Sequence, residues 1–341
     1  MRDSLNRRGI VATVDTVLTK EPGHAVHLAA DARDVYDIIV AVGGDGTARE
    51  VAGGLRGGTA CLGILPNGTA NVLAADLGIP LRLTGAADLL APDAPTVSLD
   101  LGEINDRPFV LNVGVGYAAR LIINTPTRLK RRVGFLAYLP AAVHAAFAHD
   151  RGIATVTMGE RQYRGRVQMV FVGNSGGIGG NLIYIAPNVH PNDGQLTVTI
   201  FGPRSPLSTL WTFGQLILRR YDAIHHATYW RGTEVTITSD FPLPVEVDGD
   251  AAGTTPCTVR LFPAALLVIA PEKRGKTREN ARLATKSPNH QARKVQGEQD
   301  KETTSFLERV SADHSFLPLS VLVAWWLISL PSHSAGMCDG R

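Results

Sequence analysis

Three cysteines, Cys61, Cys257 and Cys338, are all that the 341-residue chain contains. They are too few and too far apart for a disulfide framework or a zinc-ligand pattern, and they point to a reduced, cytoplasmic protein. No stretch of 18 or more apolar residues occurs, which argues against a polytopic membrane protein. Charge of one sign is scarce too. The 34 Lys and Arg against 31 Asp and Glu leave +3, too little to argue for a nucleic-acid partner. Arg2, Arg7 and Arg8 are followed by no apolar h-region, so no signal peptide is expected. What is present is a 44% hydrophobic composition, which excludes a wholly disordered chain, and a length sufficient for two domains. Its 35 glycines exceed the usual ~7% and cluster beside apolar runs.

From Asp37 to about Pro80 the pattern is strand, glycine loop, helix, twice over. Ile38–Val42 is a continuous apolar run, as a strand buried on both faces should be; Gly43-Gly44-Asp45-Gly46-Thr47 and a helix to about Leu55 follow. Leu62–Leu65 is the second buried strand, Pro66-Asn67-Gly68-Thr69 its loop, and Ala70–Leu77 the next helix, with Thr69 as its cap. Such alternation implies a parallel sheet that binds ligands at the carboxyl ends of its strands. After about Val97, short strands at Arg107–Val113, Ala154–Met158, Val167–Val172, Gln195–Phe201, Glu234–Thr238, Val245–Asp248 and Leu266–Ala270 are separated by Gly, Asn and Pro turns. This part reads as an antiparallel β domain with helical stretches near 128–149 and 205–222.

The run Gly43–Thr47 is a phosphate-loop candidate, because glycines bring backbone N–H groups close to phosphate oxygens and the next helix points its positive end there. No Gly-x-x-x-x-Gly-Lys-Ser/Thr string occurs, so it is not a Walker A loop. Asp45 among phosphate-facing amides would repel the ligand unless it held a metal ion or a hydroxyl. Asn67–Asn71 is a second loop of the same design. Gly114–Ala119 fits G-x-G-x-x-A but lacks the acidic partner about 20 residues on, and reads as a turn. Asn192-Asp193-Gly194 and Asp248-Gly249-Asp250 each read singly as an Asp-Gly turn, yet a phosphotransferase needs a carboxylate to accept a hydroxyl proton and a group to hold Mg²⁺.

In order, Gly43–Thr47, Pro66–Asn71, Asp100-Leu101-Gly102, Asn192–Gly194 and Val247–Asp250 resemble the diacylglycerol kinase catalytic family. That family includes bacterial lipid kinases and sphingosine kinases, with NAD kinase and 6-phosphofructokinase more distant. The resemblance spans roughly residues 10 to 271. It implies an α/β nucleotide-binding domain (1–98, completed by about 259–271), a β-rich, sandwich-like lipid-substrate domain (99–258), a disordered basic linker (272–315) and a short apolar tail (316–341). Gly43, Gly44, Asp45, Gly46, Thr47, Ala48 and Arg49 would hold ATP phosphates, with Thr19, Asn67, Gly68, Thr69 and Asn71 also at the nucleotide. Mg²⁺ would lie at Asp193 with main-chain oxygens of His190 and Gln195, and Asp250 or Asp248 would deprotonate a lipid hydroxyl. Three departures stand out. The family's first strand, with its Asn-Pro-x-Ser-Gly loop, has no counterpart before Ala12–Leu18, which would expose a sheet edge. Arg49 stands where Asn is usual, and Val72 where many members have Asp. The implied activity is ATP-dependent phosphorylation of a diacylglycerol-like or sphingoid lipid. The alternatives are an NAD-kinase-type metabolite kinase and a nucleotide- or lipid-binding protein without turnover.

Arg128, Lys130, Arg131 and Arg132 precede Phe135, Leu136, Tyr138 and Leu139, a basic-apolar pairing suited to anionic lipid at the inner face of the membrane, or to a solvated turn before a core helix. Leu207, Leu210, Trp211, Gly214 and Leu218 recur at helical spacing. They read as core packing in preference to an acyl pocket. Phe316–Leu330 is apolar but spans only ~22 Å of a ~30 Å hydrocarbon core, so it reads as an interfacial segment or a tail outside the domains. Whether the chain is a homodimer is left open.

Overall fold

The computed structural model describes residues 12–91, 94–123, 125, 153–175, 177–178, 183–186, 189–202, 205–220, 224, 227–271 and 319–325. The basic segment 128–139 and the linker 272–315 fall outside them. Strands and helices alternate first: β1 (Ala12–Leu18), α1 (His24–Ala32), β2 (Ile38–Gly43), α2 (Asp45–Leu55), β3 (Cys61–Pro66), α3 (Val72–Asp76) and α4 (Leu83–Ala87). Strands then dominate: β4 (Thr96–Ile104), β5 (Arg107–Phe109), β6 (Asn112–Gly116), α5 (Tyr117–Ile123), β7 (Ile153–Met158), β8 (Arg161–Arg166), β9 (Met169–Gly173), β10 (Gly177–Ile178), β11 (Ile183–Tyr184) and β12 (Leu196–Phe201). After α6 (Pro206–Ile217) come β13 (Ala227–Gly232), β14 (Glu234–Ser239), β15 (Pro244–Val247), β16 (Asp250–Thr254), β17 (Cys257–Ile269) and β18 (Leu319–Trp325).

Two sheets carry the fold. The larger runs β1-β18-β2-β3-β17-β14-β7-β8, with β4 and β5 attached through β17. Its first half is parallel and its second antiparallel. The other, β13-β12-β9-β6-β15-β16, is antiparallel and packs on the antiparallel half as a sandwich. Val113, Val172, Val198 and Val245 from one layer meet Val156, Val235, Ile237 and Val259 from the other in a single apolar core. The parallel half has its own core, in which Ile38–Val42 are buried as that unbroken apolar run requires. Helices α1 and α2 cross closely there: a Cβ at Gly54 would lie 2.3 Å from the Val26 carbonyl oxygen.

Strand β17 crosses the boundary between the two regions. Val259–Phe262 and Leu266–Ile269 both pair with β4, while Val268 also pairs with Leu62 of β3. The register shifts between Phe262 and Leu266, where Ala264 takes φ +48. The expected last strand, Leu266–Ala270, is thus the end of a longer one. The expected strand Arg107–Val113 is instead divided at Val110–Leu111, whose amides turn to a carboxylate described below. Gly114–Ala119 is a strand-to-helix junction, not a turn, with β6 feeding directly into α5.

The largest departure concerns the apolar tail. Residues Leu319–Trp325 form β18, parallel to β1 from Ala12↔Leu319 to Leu18↔Trp325 and parallel to β2 from Val321↔Ile38 to Trp325↔Val42. The expectation of an exposed edge beside β1, and of a tail outside the domains, is therefore corrected. The order β1-β18-β2-β3 is the 2-1-3-4 order of a doubly wound sheet, with its central strand supplied by residues from the far end of the chain. The sequence of Leu319–Trp325 is apolar apart from Ser320, as a central position of this kind requires.

Candidate active site

At the carboxyl ends of the parallel strands lies a cavity of about 470 Å³, within the size range of ligand pockets, lined by Thr19, Gly46, Thr47, Arg49, Arg107 and Asp250 among others. Thr19 follows β1, Gly46 to Arg49 form the first turn of α2, and Arg107 and Asp250 arrive from β5 and β16. Helix α2 directs its N-terminal N–H groups and the positive end of its dipole towards this space. Nothing lies within 4 Å of where a Gly46 Cβ would stand, so the backbone there is open to a ligand.

Asp45 faces away from that space. Its carboxylate accepts the N–H groups of Val72 and Leu73, each at 3.0 Å, and so caps α3 from the neighbouring loop. The expected cap, Thr69, is exposed; the N-cap position belongs to Asn71, at φ 49, whose own side chain is bonded to Gly68. Gly44 and Gly68 lie back to back, a Cβ on Gly68 falling 2.4 Å from the Gly44 Cα, so the two loops form one unit. Within it, Gly46, Thr47 and Arg49 line the cavity and Ala48 points into the core, while Asn67, Gly68 and Thr69 are exposed and are not part of its lining.

Two other motif aspartates are spent in the same way. Asp100 accepts the N–H groups of Gly194 and Ala264, each at 2.7 Å, joining two of the sequence motifs. Asp248 lies at the start of the β15–β16 turn, where Asp248 and Gly249 both have positive φ, as a type I′ hairpin demands. Its Oδ2 accepts from Val110 N–H, and its Oδ1 accepts from Leu111 and Asn112 N–H, all at 2.9 Å. That clamp divides the strand expected over Arg107–Val113.

Asp250 is placed differently. One residue beyond the turn, it stands half-exposed in the cavity, with Arg49 Nη2 3.0 Å and Arg107 Nη2 3.5 Å from its Oδ2. The Arg49 side chain is buried, at 7% exposure against 57% for Asp250, and its Nη1 also reaches the Val247 carbonyl. Arg107 donates as well to the Ala251 carbonyl at 3.0 Å. Sequence reasoning missed Arg107 and Glu50. Glu50 accepts the N–H groups of Gly23 and Ala25, and so holds the loop carrying Thr19 against α2. No local signal marks either residue, because both act across long separations in the chain.

The residues expected at Mg²⁺ lie together in the turn before β12. Asp193 Oδ1 accepts from Gln195 N–H at 3.0 Å, its Oδ2 is paired with the Arg231 guanidinium, and the His190 carbonyl receives the Asp193 N–H. Among the described residues, no group of three His, Cys, Asp or Glu side chains could hold a metal ion.

Burial is the leading cause that raises Asp45, Asp100, Asp193 and Asp248 above the ordinary carboxylate value, and their hydrogen bonds or nearby Arg charges only partly offset it. A carboxyl raised on folding binds more protons in the folded chain. Its contribution is fully present below its unfolded value of 3.8 and is lost as pH rises through the raised folded value. Melting temperature should therefore fall as pH rises through that window. Asp248→Asn should destabilise the chain by roughly 2–4 kcal/mol, because an amide cannot accept three buried N–H groups, and should flatten part of that slope. Thermal melts from pH 3.5 to 8 test both; an unchanged slope in the variant would remove Asp248 from the account.

Residues 1–104 match the family model for the diacylglycerol kinase catalytic domain, and residues 111–270 that for the YegS C-terminal NAD kinase beta sandwich-like domain. A probable lipid kinase YegS-like from Klebsiella pneumoniae is 30% identical over 256 residues, covering 73% of this chain and 83% of the relative. An uncharacterized protein, sll0036, from Synechocystis is 28% identical over 237 residues; the match covers 68% of this chain but only 54% of that longer protein. The crystal structure of a putative diacylglycerol kinase from Bacillus anthracis superposes with a TM-score of 0.63 at 23% identity, over 74% of this chain and 83% of that one, which is a likeness of fold. With its motifs in order, its α/β and sandwich halves joined through β17, and these matches, the chain belongs to the diacylglycerol kinase catalytic-domain family.

Proposed function

We propose that the chain is an ATP-dependent lipid kinase that transfers the γ-phosphate to the hydroxyl of a diacylglycerol-like or sphingoid lipid. The observation that carries this reading is the Asp250 carboxylate, standing between Arg49 and Arg107 in a cavity that opens on the first turn of α2. A nucleotide suits that cavity by size, by the open backbone at Gly46 and by the helix end. The nucleotide would bring its own Mg²⁺ as part of the substrate. No step is assigned to Asp193.

The chemistry asked of the protein is positioning and charge neutralisation. The acceptor oxygen bonds to the γ-phosphorus, the bridging P–O bond to ADP breaks, and the hydroxyl proton passes to Asp250. Arg49 and Arg107 neutralise charge on the phosphoryl group. They hold Asp250 while the cavity is empty and give it up when phosphate oxygens compete for the same guanidinium donors. Asp248 takes no part in this scheme, since it is held on Val110, Leu111 and Asn112 N–H and does not line the cavity.

The test is ADP release from Mg·ATP with mixed micelles containing diacylglycerol, a sphingoid base or, as the rival acceptor, NAD. Lipid-dependent ADP is expected. ADP with NAD alone would move the chain to the metabolite-kinase reading, and ATP binding without ADP for any acceptor would favour a protein without turnover. Arg49→Lys supplies a second check: a point charge cannot reach both the Val247 carbonyl and Asp250, so kcat/KM should fall roughly 10- to 100-fold. Unchanged kinetics would take Arg49 out of the mechanism.

A further inference from the structure

Among its described side chains, helix α6 carries an apolar stripe on its outer face. On the face turned to the protein stand Thr209, Thr212 and Leu216, all buried. The two threonine hydroxyls are occupied locally, Thr209 Oγ1 donating to the Ser205 carbonyl and Thr212 Oγ1 to the Ser208 carbonyl, and Gln168 Nε2 donates to Thr209 Oγ1 at 2.7 Å. On the opposite face, one stripe at i, i+4, i+7 and i+11 carries Leu207, Trp211, Gly214 and Leu218. Leu207 is 79% exposed, Trp211 50% and Leu218 64%. The expectation of core packing is corrected for Leu207, Trp211 and Leu218; the Leu210 side chain, counted in the same stripe, lies outside the described residues. Among the described residues, the small cavity beside α6 is bounded by Tyr117, Met169, Phe201 and the inner face of the helix, not by this stripe.

A surface helix normally puts leucine and tryptophan inside and threonine outside. An exposed stripe of leucine and tryptophan is the kind of surface that meets an apolar partner. Arg219 and Arg220, both exposed, close the same helix. We infer that the outer face of α6 docks on an anionic lipid bilayer, with Leu207, Trp211 and Leu218 entering the interface and Arg219 and Arg220 meeting the headgroups. A second copy of the chain is the poorer occupant. Three side chains on a helix of three turns offer a few hundred square ångströms, against the ~800 Å² per partner of a standard interface. The inference rests on the lipid-kinase reading for its purpose but not for its measurement.

The experiment uses the full chain and vesicles of phosphatidylcholine with and without phosphatidylglycerol, in the absence of nucleotide. Co-sedimentation should be strong with the anionic vesicles and weak with the neutral ones. Leu207→Glu combined with Trp211→Glu should weaken it at least tenfold with the melting temperature unchanged, both positions being exposed. Arg219→Glu with Arg220→Glu should remove the preference for the anionic vesicles. Phosphate transfer to a short-chain, water-soluble diacylglycerol should survive the apolar double substitution, while transfer to vesicle-embedded lipid falls with binding. The inference is overturned if the apolar double variant binds vesicles as tightly as the parent. It is also overturned if the parent ignores vesicles and instead self-associates through this face, seen as a dimer lost in the same variant. Vesicle binding without ADP for any lipid acceptor would sink the kinase reading and leave the docking face standing.

Discussion

Asp250→Asn should lower kcat for lipid phosphorylation by roughly 10²- to 10⁴-fold, the usual worth of a positioned general base. Nucleotide binding and thermal stability should change little. The side chain is half-exposed on the first residue of β16, outside both apolar cores, so an amide of the same size fits without repacking. It can still accept a hydrogen bond from Arg49 or Arg107, which keeps both guanidiniums in place. What it loses is the capacity to take the hydroxyl proton. Single-turnover transfer, read beside a melting curve and an ATP titration, separates that loss from misfolding. If turnover persists within a factor of two or three, Asp250 is a placeholder for phosphate and the proton leaves by another route. Asp248→Asn makes the informative comparison, since its loss of activity should follow its loss of stability.

Val323→Pro should have the largest effect on the fold. Val323 pairs with Thr16 on one side and Val40 on the other, in the middle of the parallel region. Proline there removes an N–H and obstructs pairing in a central strand, where it is almost never tolerated. A cost of about 3 kcal/mol or more is expected, or roughly 6–12 °C in melting temperature for a chain of this size. Nucleotide affinity should fall with it. β18 lies between the two strands whose ends carry Thr19 and the Gly43–Thr47 loop, and losing it would let those loops drift apart. A crosslink tests the same placement without damage. Thr16→Cys with Val323→Cys, in a Cys338→Ser background, puts two thiols on register partners of adjacent strands. Strand spacing of about 4.8 Å falls within disulfide range. Mild oxidation should give a crosslink within one chain. No crosslink, together with an unaltered melt for Val323→Pro, would remove β18 from the sheet.

The strand and helix alternation of the nucleotide half was legible because β2 and β3 are unbroken apolar runs closed by glycine loops, a local pattern with few other meanings. The motif aspartates were legible as a set and illegible in their roles. Asp45, Asp100 and Asp248 look alike in sequence to Asp250, and only the backbone amides folded onto them from elsewhere in the chain show which are clamps. For α6 the period was read correctly and the direction was not, because periodicity tells which residues share a face without telling which face turns inward. Phe316–Leu330 was read by its length against a bilayer. Its strand partners, Ala12–Leu18 and Ile38–Val42, lie far off in the chain, and a short apolar run states no pairing of its own.

That distance has a bearing on how the protein is made. A ribosome releases β1 and β2 well before β18, so in that interval the two strands lack the strand that lies between them. The sandwich, whose strands all emerge before Pro271, can close in the meantime. Until Trp325 clears the exit tunnel, the nascent chain carries two unpaired strand edges of apolar sequence, the kind of surface that recruits chaperones or a neighbouring nascent chain. The parallel half is therefore completed only after the sandwich can close, and cells short of holdase capacity should lose that half before they lose the sandwich.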